Sequence, residues 1–477
     1  MPEPVSAPVV RFRPDLRCVA HSGWPAVEGL VPQDHPVRLI WSVVEQIDTT
    51  AFEGREHRRR QPPYHPRWLL ALWVHASRIG LHTAEALCRQ LKTDAALRWL
   101  AGGHTPSSPT LKRFRRKGGE LFAVANERVL SLAHERGLLD TSELAVDSLR
   151  LRADASTSAV RTVRRSKRRL AELQAVDTSG LTEEEQARHT AKLAKHEGAL
   201  QALADQDRTN LVLSAPGAGL LKFPNGASAP GYRVTAMAAG RRRRFILHVF
   251  LTADNCDYGH LERAVIGTRE LLDRIEARPD QLLITADPGY HSEADLKFAR
   301  DNRHWADVLI REGSTTRRSA SGKPGYFSRE DFDFRSDNTV ICPAGRTMIG
   351  PRLYKGEELW WRGDDCASCP LKPRCTKSKD DRVVTLRPEF EVARAEMRAR
   401  MAQPDAAAMY GGRMAIVEPV FASLEDAFRF QRASSRDLVT VQAEVILKVL
   451  AHNIGRLLHA CTLRAVWLVV GCDDLDY

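Results

Sequence analysis

No uninterrupted apolar run in this sequence approaches the roughly 20 residues that cross a bilayer. The C-terminal run Ala465-Val466-Trp467-Leu468-Val469-Val470 is far shorter, so no membrane partner is expected. The N-terminus, with Pro2, Glu3, Pro4 and Pro8, lacks the charged-then-apolar order of a secretion signal. Cysteine is sparse and odd in number: nine residues, four of them close together. That argues against a disulfide framework and for a metal site in a reducing cytoplasm. The glycines at 217, 219, 226 and 231 mark a loop-rich passage, but no Gly-Lys-Ser/Thr closes it, which excludes a phosphate-binding loop. An acidic excess is also missing. Lys plus Arg is 71 against 60 acids, a net charge of +11. That balance favours a polyanionic partner, nucleic acid first and anionic membrane second, with a merely basic enzyme as the plain alternative.

What is present fits an ordinary soluble protein of two or three domains, with 43% hydrophobic and 27% charged residues over 477 positions. The chain is organised around Leu283-Ile284-Thr285-Ala286-Asp287-Pro288-Gly289-Tyr290-His291. A partly β-branched apolar run ends in a carboxylate, then turns sharply, then opens a helix at Ser292-Glu293. It reads as a buried strand delivering Asp287 to the end of a sheet, where a carboxylate is costly unless it binds a cation or is hydrogen-bonded. Glu143-Leu144-Ala145-Val146-Asp147-Ser148 repeats the pattern, and Ile416-Val417-Glu418-Pro419-Val420-Phe421 places a third acid among apolar residues. Asp147, Asp287 and Glu418 are read as one metal-binding site.

Residues 1–34 read as an irregular leader. From Val37 the periodicity is helical, with Pro62, Pro63 and Pro66 interrupting it before a second helix over Leu69 to Val74. Two short helices with polar openings follow, over Thr83–Leu91 and Asp94–Leu100. Ser107 is an N-cap candidate with Pro109 just inside. The helix it opens carries Lys112, Arg113, Arg115, Arg116 and Lys117 around an apolar pair. A short helix followed by a basic one suggests a helix-turn-helix-like DNA reader, or else a solvated basic face on a packed helix. Phe122–His134 is a further helix. Residues 160–207 read as a charged helical hairpin. Strands are expected over Leu149–Asp154, Tyr232–Ala238, Phe245–Thr252 and Trp305–Arg311, and a helix over Leu261–Ala277.

Cys342, Cys366, Cys369 and Cys375 have the spacing C-x23-C-x2-C-x5-C. A tight CxxC turn supplies two soft ligands, which suits a structural Zn²⁺; the alternative is four reduced thiols. Cys18, Cys88, Cys256, Cys461 and Cys472 read as packing residues. Val417, Phe421, Leu424 and Phe428 share one helical face, with Glu418 at its edge. Because proline is tolerated only in a first turn, that helix is expected to begin close to Val417. Val441–Leu458 is a strongly apolar closing helix.

Ala145-Val146-Asp147-Ser148, Thr285 to Ser292, Cys342-Pro343-Ala344-Gly345 with Cys366-Ala367-Ser368-Cys369-Pro370-Leu371, and Val417-Glu418-Pro419-Val420-Phe421 together resemble the DDE transposases of bacterial insertion sequences, in the branch with a cysteine-bearing insertion. Pro32 to about Lys117 resembles that family's helical domain. The resemblance implies an α/β, RNase H-like catalytic domain: a mixed sheet flanked by helices. An N-terminal all-helical domain and a small zinc-ribbon-like insertion accompany it. The implied boundaries are 1–34 for the leader and 35–138 for a helical DNA-binding domain. They continue with 139–340 for the first catalytic part, 341–380 for the cysteine-rich insertion and 381–477 for the part carrying the third acid.

The resemblance also implies two Mg²⁺ or Mn²⁺ per site, Asp147 bridging them and Asp287 and Glu418 each holding one. It implies cleavage at the terminal inverted repeats of an element and joining of the 3′-hydroxyls to double-stranded target DNA. A homo-oligomer on DNA and a bacterial, nucleoid-associated location follow from it. Tyr410 and Arg413 stand near the family's Tyr and Arg, with Arg413 facing DNA. Arg413 is one residue further from Glu418 than in the family's commonest spacing, and two positions depart in residue type: Ser148 stands where the family usually has Gly, and Glu425 where a basic residue is usual. They keep open a non-catalytic transposase-derived DNA-binding protein. A nuclease that cleaves without joining is a third reading.

Overall fold

The computed structural model describes residues 12–53, 62–205, 209–313, 325–328, 331–335, 337–354 and 358–470, the last ten of these by backbone alone. The first prolines, Cys472 and the side chains of Cys461 and the run 465–470 lie outside the described residues.

The first helices form where the sequence caps them. α1 (Pro36–Val44) and α2 (Pro66–Arg78) each place proline in the first turn, behind a histidine whose Nδ1 accepts a backbone N–H. Pro66 therefore opens α2. Thr83 caps α3 (Ala84–Gln90) by accepting from Ala86 N at 3.1 Å, and Asp94 caps α4 (Ala95–Leu100) through Leu97 N at 2.9 Å. The basic α5 (Ser108–Lys117) and α6 (Gly119–Glu135) complete the helical region. The leader is anchored to it. Arg17 is buried between the Trp41 and Trp99 rings, 4.1 and 4.3 Å from their centroids, and donates to the Trp99 carbonyl at 2.7 Å.

β1 (Leu144–Arg152) is followed by β2 (Val160–Thr162), the hairpin α7 (Val163–Gln174) and α8 (Glu183–Asp205), and β3 (Asn210–Val212). β2 and β3 pair antiparallel and frame the helical hairpin. The glycine-rich passage is not a plain loop. β4 (Gly219–Lys222) and β5 (Ser228–Ala239) form a hairpin there. Glycines were needed because a Cβ at Gly219 would stand 1.9 Å from the Ala253 carbonyl oxygen, and one at Gly231 would stand 2.8 Å from that of Leu151. β6 (Phe245–Thr252) and α9 (Leu261–Arg274) follow, then β7 (Leu282–Ala286), α10 (Glu293–Asp301) and β8 (Ala306–Ile310). The cysteine-bearing region holds β9 (Asp333–Phe334), β10 (Val340–Ile341), β11 (Ile349–Tyr354), β12 (Glu358–Arg362), α11 (Lys372–Cys375) and β13 (Val383–Leu386). The chain closes with α12 (Pro388–Met401), α13 (Pro404–Ala422), a π-helical turn over Ser423–Ala427 and α14 (Leu438–Val470).

Two compact units result: Met1–Cys256, Ala264–Pro279 and Met414–Tyr477 form the first, and Asp257–Arg263 with Asp280–Arg413 the second. In the first, β1 lies antiparallel to β5, whose other edge carries β4 and then β6. α14 packs against α2, α5, α6 and β6. Asn453, fully buried on α14, bonds both backbone groups of Ile246 and the Asn126 amide, at 2.8–2.9 Å. Such a satisfied polar knot fixes one register of helix on sheet. Leu438–Ala460 of α14 is long and apolar enough on average to cross a membrane, although polar residues interrupt it, and 72% of that window is buried within the protein. It is the spine of a core.

In the second unit β7 and β8 run parallel, with α10 and α12 against them. Arg400 of α12 is buried and pairs with Asp307 of β8 at 2.7 Å and Asp405 at 2.8 Å. β11, β12 and β13 form a separate antiparallel sheet around Phe332, Val340, Met348, Trp361 and Val384, a core that reaches on both sides beyond the 341–380 boundary.

The largest correction concerns Glu418. Its helix, α13, starts at Pro404, not near Val417, and Pro419 stands inside it.

Candidate functional site

In the first unit, Asp147 sits on β1, half-buried, opposite Ala236 of β5. Its Oδ1 accepts the N–H of Ser148 at 2.7 Å. Ser148 is itself held: Arg233, buried on β5, donates to its Oγ at 2.6 Å and to the carbonyls of Asp254 and Asn255 at 3.2 and 2.6 Å. Glu418 belongs to the same unit. Ile416, Val417 and Val420 are buried around it, and the carboxylate side is exposed.

In the second unit, Asp287 follows β7 directly and caps the short turn Pro288–Tyr290, accepting from Gly289 N at 2.8 Å. The nearby Asp295 is a structural carboxylate. Fully buried, it accepts from Ser292 Oγ at 2.6 Å, Gly259 N at 2.8 Å and Leu261 N at 3.1 Å. Burial raises its pKa, against the pull of those bonds. Tyr410, on α13, has its phenol pushed up, first by burial and then by the charge of Asp287, while Arg413 and Arg311 oppose the shift. Asp287, Tyr410, Arg413 and Arg311 thus share one electrostatic neighbourhood. Beside them lies a cleft of about 860 Å³ bordered by Pro288, His291, Arg311, Glu312, Arg398 and Tyr410. Arg311 was invisible to sequence reasoning, since an arginine after a strand carries no motif.

The four clustered cysteines border one cavity of about 30 Å³. Cys375 has its thiol pushed up by burial, with the other three thiols adding to the shift and Arg382 opposing it. The knuckle is built for sulfur. Arg382 N donates to Cys366 Sγ at 3.4 Å, Gly345 N to Cys342 O at 2.8 Å and Cys369 N to Cys366 O at 3.3 Å. A Cβ at Gly363 would stand 2.3 Å from Cys366 Sγ. Even so, among the described residues no group of three or more His, Cys, Asp or Glu stands in a metal-holding arrangement. Four thiols on one small void are nonetheless a donor set of the kind zinc takes. Of the cysteines read as packing residues, Cys18 and Cys256 are exposed and Cys88 half-buried, so the first two do no packing.

On α5 the five cations divide. Arg115 is buried and donates to the His82 carbonyl at 2.5 Å; Lys112 pairs with Glu85. Lys112, Arg113, Arg115 and Arg116 border a 330 Å³ pocket whose other wall is Ser434, Ser435 and Thr440. Those hydroxyls, more than 300 residues away in sequence, gave no signal of their own.

Two families match this chain: a transposase domain (DUF772) over residues 25–117 and a transposase DDE domain over residues 341–458. The second contains Glu418 and all four clustered cysteines; Asp147 and Asp287 lie outside both. No curated protein matches. Among solved structures the chain is similar to the piggyBac transposase in a synaptic complex with hairpin DNA. The identity is 8%, coverage is 88% of this chain and 73% of that one, and the TM-score of 0.34 carries no part of the reading. The class is therefore a transposase of mixed α/β fold with a helical N-terminal region. Both matched stretches are transposase domains, which supports a DDE transposase of an insertion sequence, and the DDE domain implies an RNase H-like fold.

Proposed function

We propose that this transposase cleaves the ends of its element and joins the freed 3′-hydroxyls to target DNA, with Asp147, Asp287 and Glu418 as the catalytic acids. The observation that carries the reading is on α13. Glu418 lies on that helix, within the DDE-domain match. Asp147 on β1 and Asp287 directly after β7 are half-buried carboxylates, and Glu418 is exposed at the edge of a buried stripe. Oxygen donors of this kind suit Mg²⁺ or Mn²⁺. Bound there, divalent ions would supply charge stabilisation at the attacking and leaving oxygens of the phosphodiester. The protein's own groups do the rest. Arg311, which borders the cleft, places positive charge near Tyr410 where a DNA phosphate would lie, whereas Arg413, expected to face DNA, is buried and adds its charge from within; phosphate contacts set register. The α5 pocket, with Arg113 and Arg116, holds backbone phosphates of the terminal repeats.

Zinc on Cys342, Cys366, Cys369 and Cys375 is structural in this reading. Joining two ends together calls for two copies on DNA in the bacterial nucleoid.

The test is a joining assay on DNA carrying the element's own inverted repeats, with Mn²⁺. Asp147→Asn, Asp287→Asn and Glu418→Gln each abolish nicking and joining while DNA binding stays within twofold of wild type. Wild-type binding without any chemistry favours a transposase-derived DNA-binding protein; nicks without joined product favour a nuclease.

A further inference from the structure

Glu418 is followed by a residue that should break its helix. Pro419 has no N–H, so the Ala415 carbonyl four residues back has no helical donor. Arg244 takes the position. Its Nε donates to Ala415 O at 2.7 Å. Arg244 lies just before β6 and has a positive φ of 56°, uncommon for a residue with a side chain.

The carbonyl of Arg244 is held in turn. His452 of α14 approaches it through Nε2 at 2.9 Å, and Nδ1 of the same ring lies 3.1 Å from Ser423 Oγ. A carbonyl can only accept, so Nε2 carries the proton and Nδ1 accepts from the serine hydroxyl. That tautomer leaves no role for Arg456 Nε as a donor to Nε2, from which it stands 3.5 Å. His452 is 2% exposed, and burial lowers its pKa to about 4, so the ring is neutral. Ser423 opens the π-helical turn directly after α13. The segment with Glu418 is therefore tied at both ends, at Ala415 and at Ser423, to one pair of side chains. Irregular turns of this kind often mark functional positions in helices.

We propose that Arg244 and His452 are positioning residues for the third acid: they replace the hydrogen bond that Pro419 removes and so fix where α13 presents Glu418. This rests on Glu418 being catalytic. Neither side chain acts on DNA; both act through the helix.

The experiment pairs Arg244→Ala with Pro419→Ala. Arg244→Ala lowers the joining kcat at least tenfold, with KM for element-end DNA within twofold. Adding Pro419→Ala restores kcat to within threefold of wild type, because an alanine in place of the proline supplies the missing N–H to the Ala415 carbonyl. Amide exchange over residues 416–423 gives a readout independent of chemistry: about tenfold faster in Arg244→Ala and returned in the double variant. Wild-type kcat in Arg244→Ala, unchanged exchange, or a double variant no better than the single one overturns the proposal. Full joining by Glu418→Gln would instead sink the assignment of the acid, whatever the exchange data show.

Discussion

Arg233 donates to Ser148 Oγ at 2.6 Å, one residue from Asp147. The two are diagonal neighbours on one face of the β1–β5 pair, since Ser148 faces Thr235 and Arg150 faces Arg233. Ser148 departs from the family's usual glycine, and the structure gives the departure a purpose: it is an acceptor for a buried guanidinium. Ser148→Ala removes that acceptor. It should cost about 1–2 kcal/mol in denaturant unfolding. Ser148→Gly should cost somewhat more, because glycine also loosens the strand. Equal stability of all three proteins would show that the bond contributes nothing.

Gly363 leaves room for sulfur. Alanine there would bring its Cβ to 2.3 Å from Cys366 Sγ, closer than any real contact. Gly363→Ala should therefore lose the roughly one zinc per chain that elemental analysis is expected to find, as should Cys366→Ser. Cys18→Ser, on an exposed residue, should keep it. Retention of metal by Cys366→Ser would remove the thiol cluster from consideration.

The pocket between α5 and the Ser434–Ser435 loop predicts a salt signature. Arg113→Ala and Arg116→Ala should each weaken DNA binding by a similar factor for specific and unrelated sequences. Each should also reduce the slope of log K against log salt by about 1. A slope identical to wild type in both variants would assign these cations to a solvated face.

Glu312 supplies a pH dependence with a definite sign. Burial pushes its carboxyl up, but hydrogen bonds and charge from Arg398 and Arg394 outweigh that and pull it down to about 2. Arg398 reaches it at 2.7 and 2.9 Å and Arg394 Nε at 2.6 Å. The group's ordinary value is 4.5, so its folded state holds the proton less tightly than its unfolded state. The stabilisation is fully present above pH 4.5 and is lost as the pH falls toward 2. Allowing for the half-exposed Arg398, it is worth about 2 kcal/mol at neutral pH. Glu312→Gln should lose that margin at pH 7 and converge with wild type as the solution approaches pH 2. A constant difference between the two across that range would contradict the ion-pair account.

Much of the architecture was legible locally. β1 and β7 announced themselves as apolar runs ending in Asp147 and Asp287. Thr83, Asp94 and Ser292 cap the helices that their side chains suggested, and the charged stretch 163–205 folds as the expected hairpin. These signals are short-range: a cap, a period or a β-branched run acts within a few residues.

What failed locally failed for one reason. Gly219 and Gly231 looked like loop residues, but they serve strands that approach other backbone. Pro419 looked like the start of a helix, but its missing hydrogen bond is replaced from 171 residues away. Sequence by itself determined the candidate acids, the cysteine cluster, the basic helix and the class of fold, because residue type and spacing carry that chemistry. Only the tertiary structure decided that Ser148 serves Arg233, that Ser434 and Ser435 face α5, and that Arg244 and His452 brace the helix of Glu418. A hydrogen bond between distant segments depends on how the chain folds back on itself, and no local pattern encodes that return.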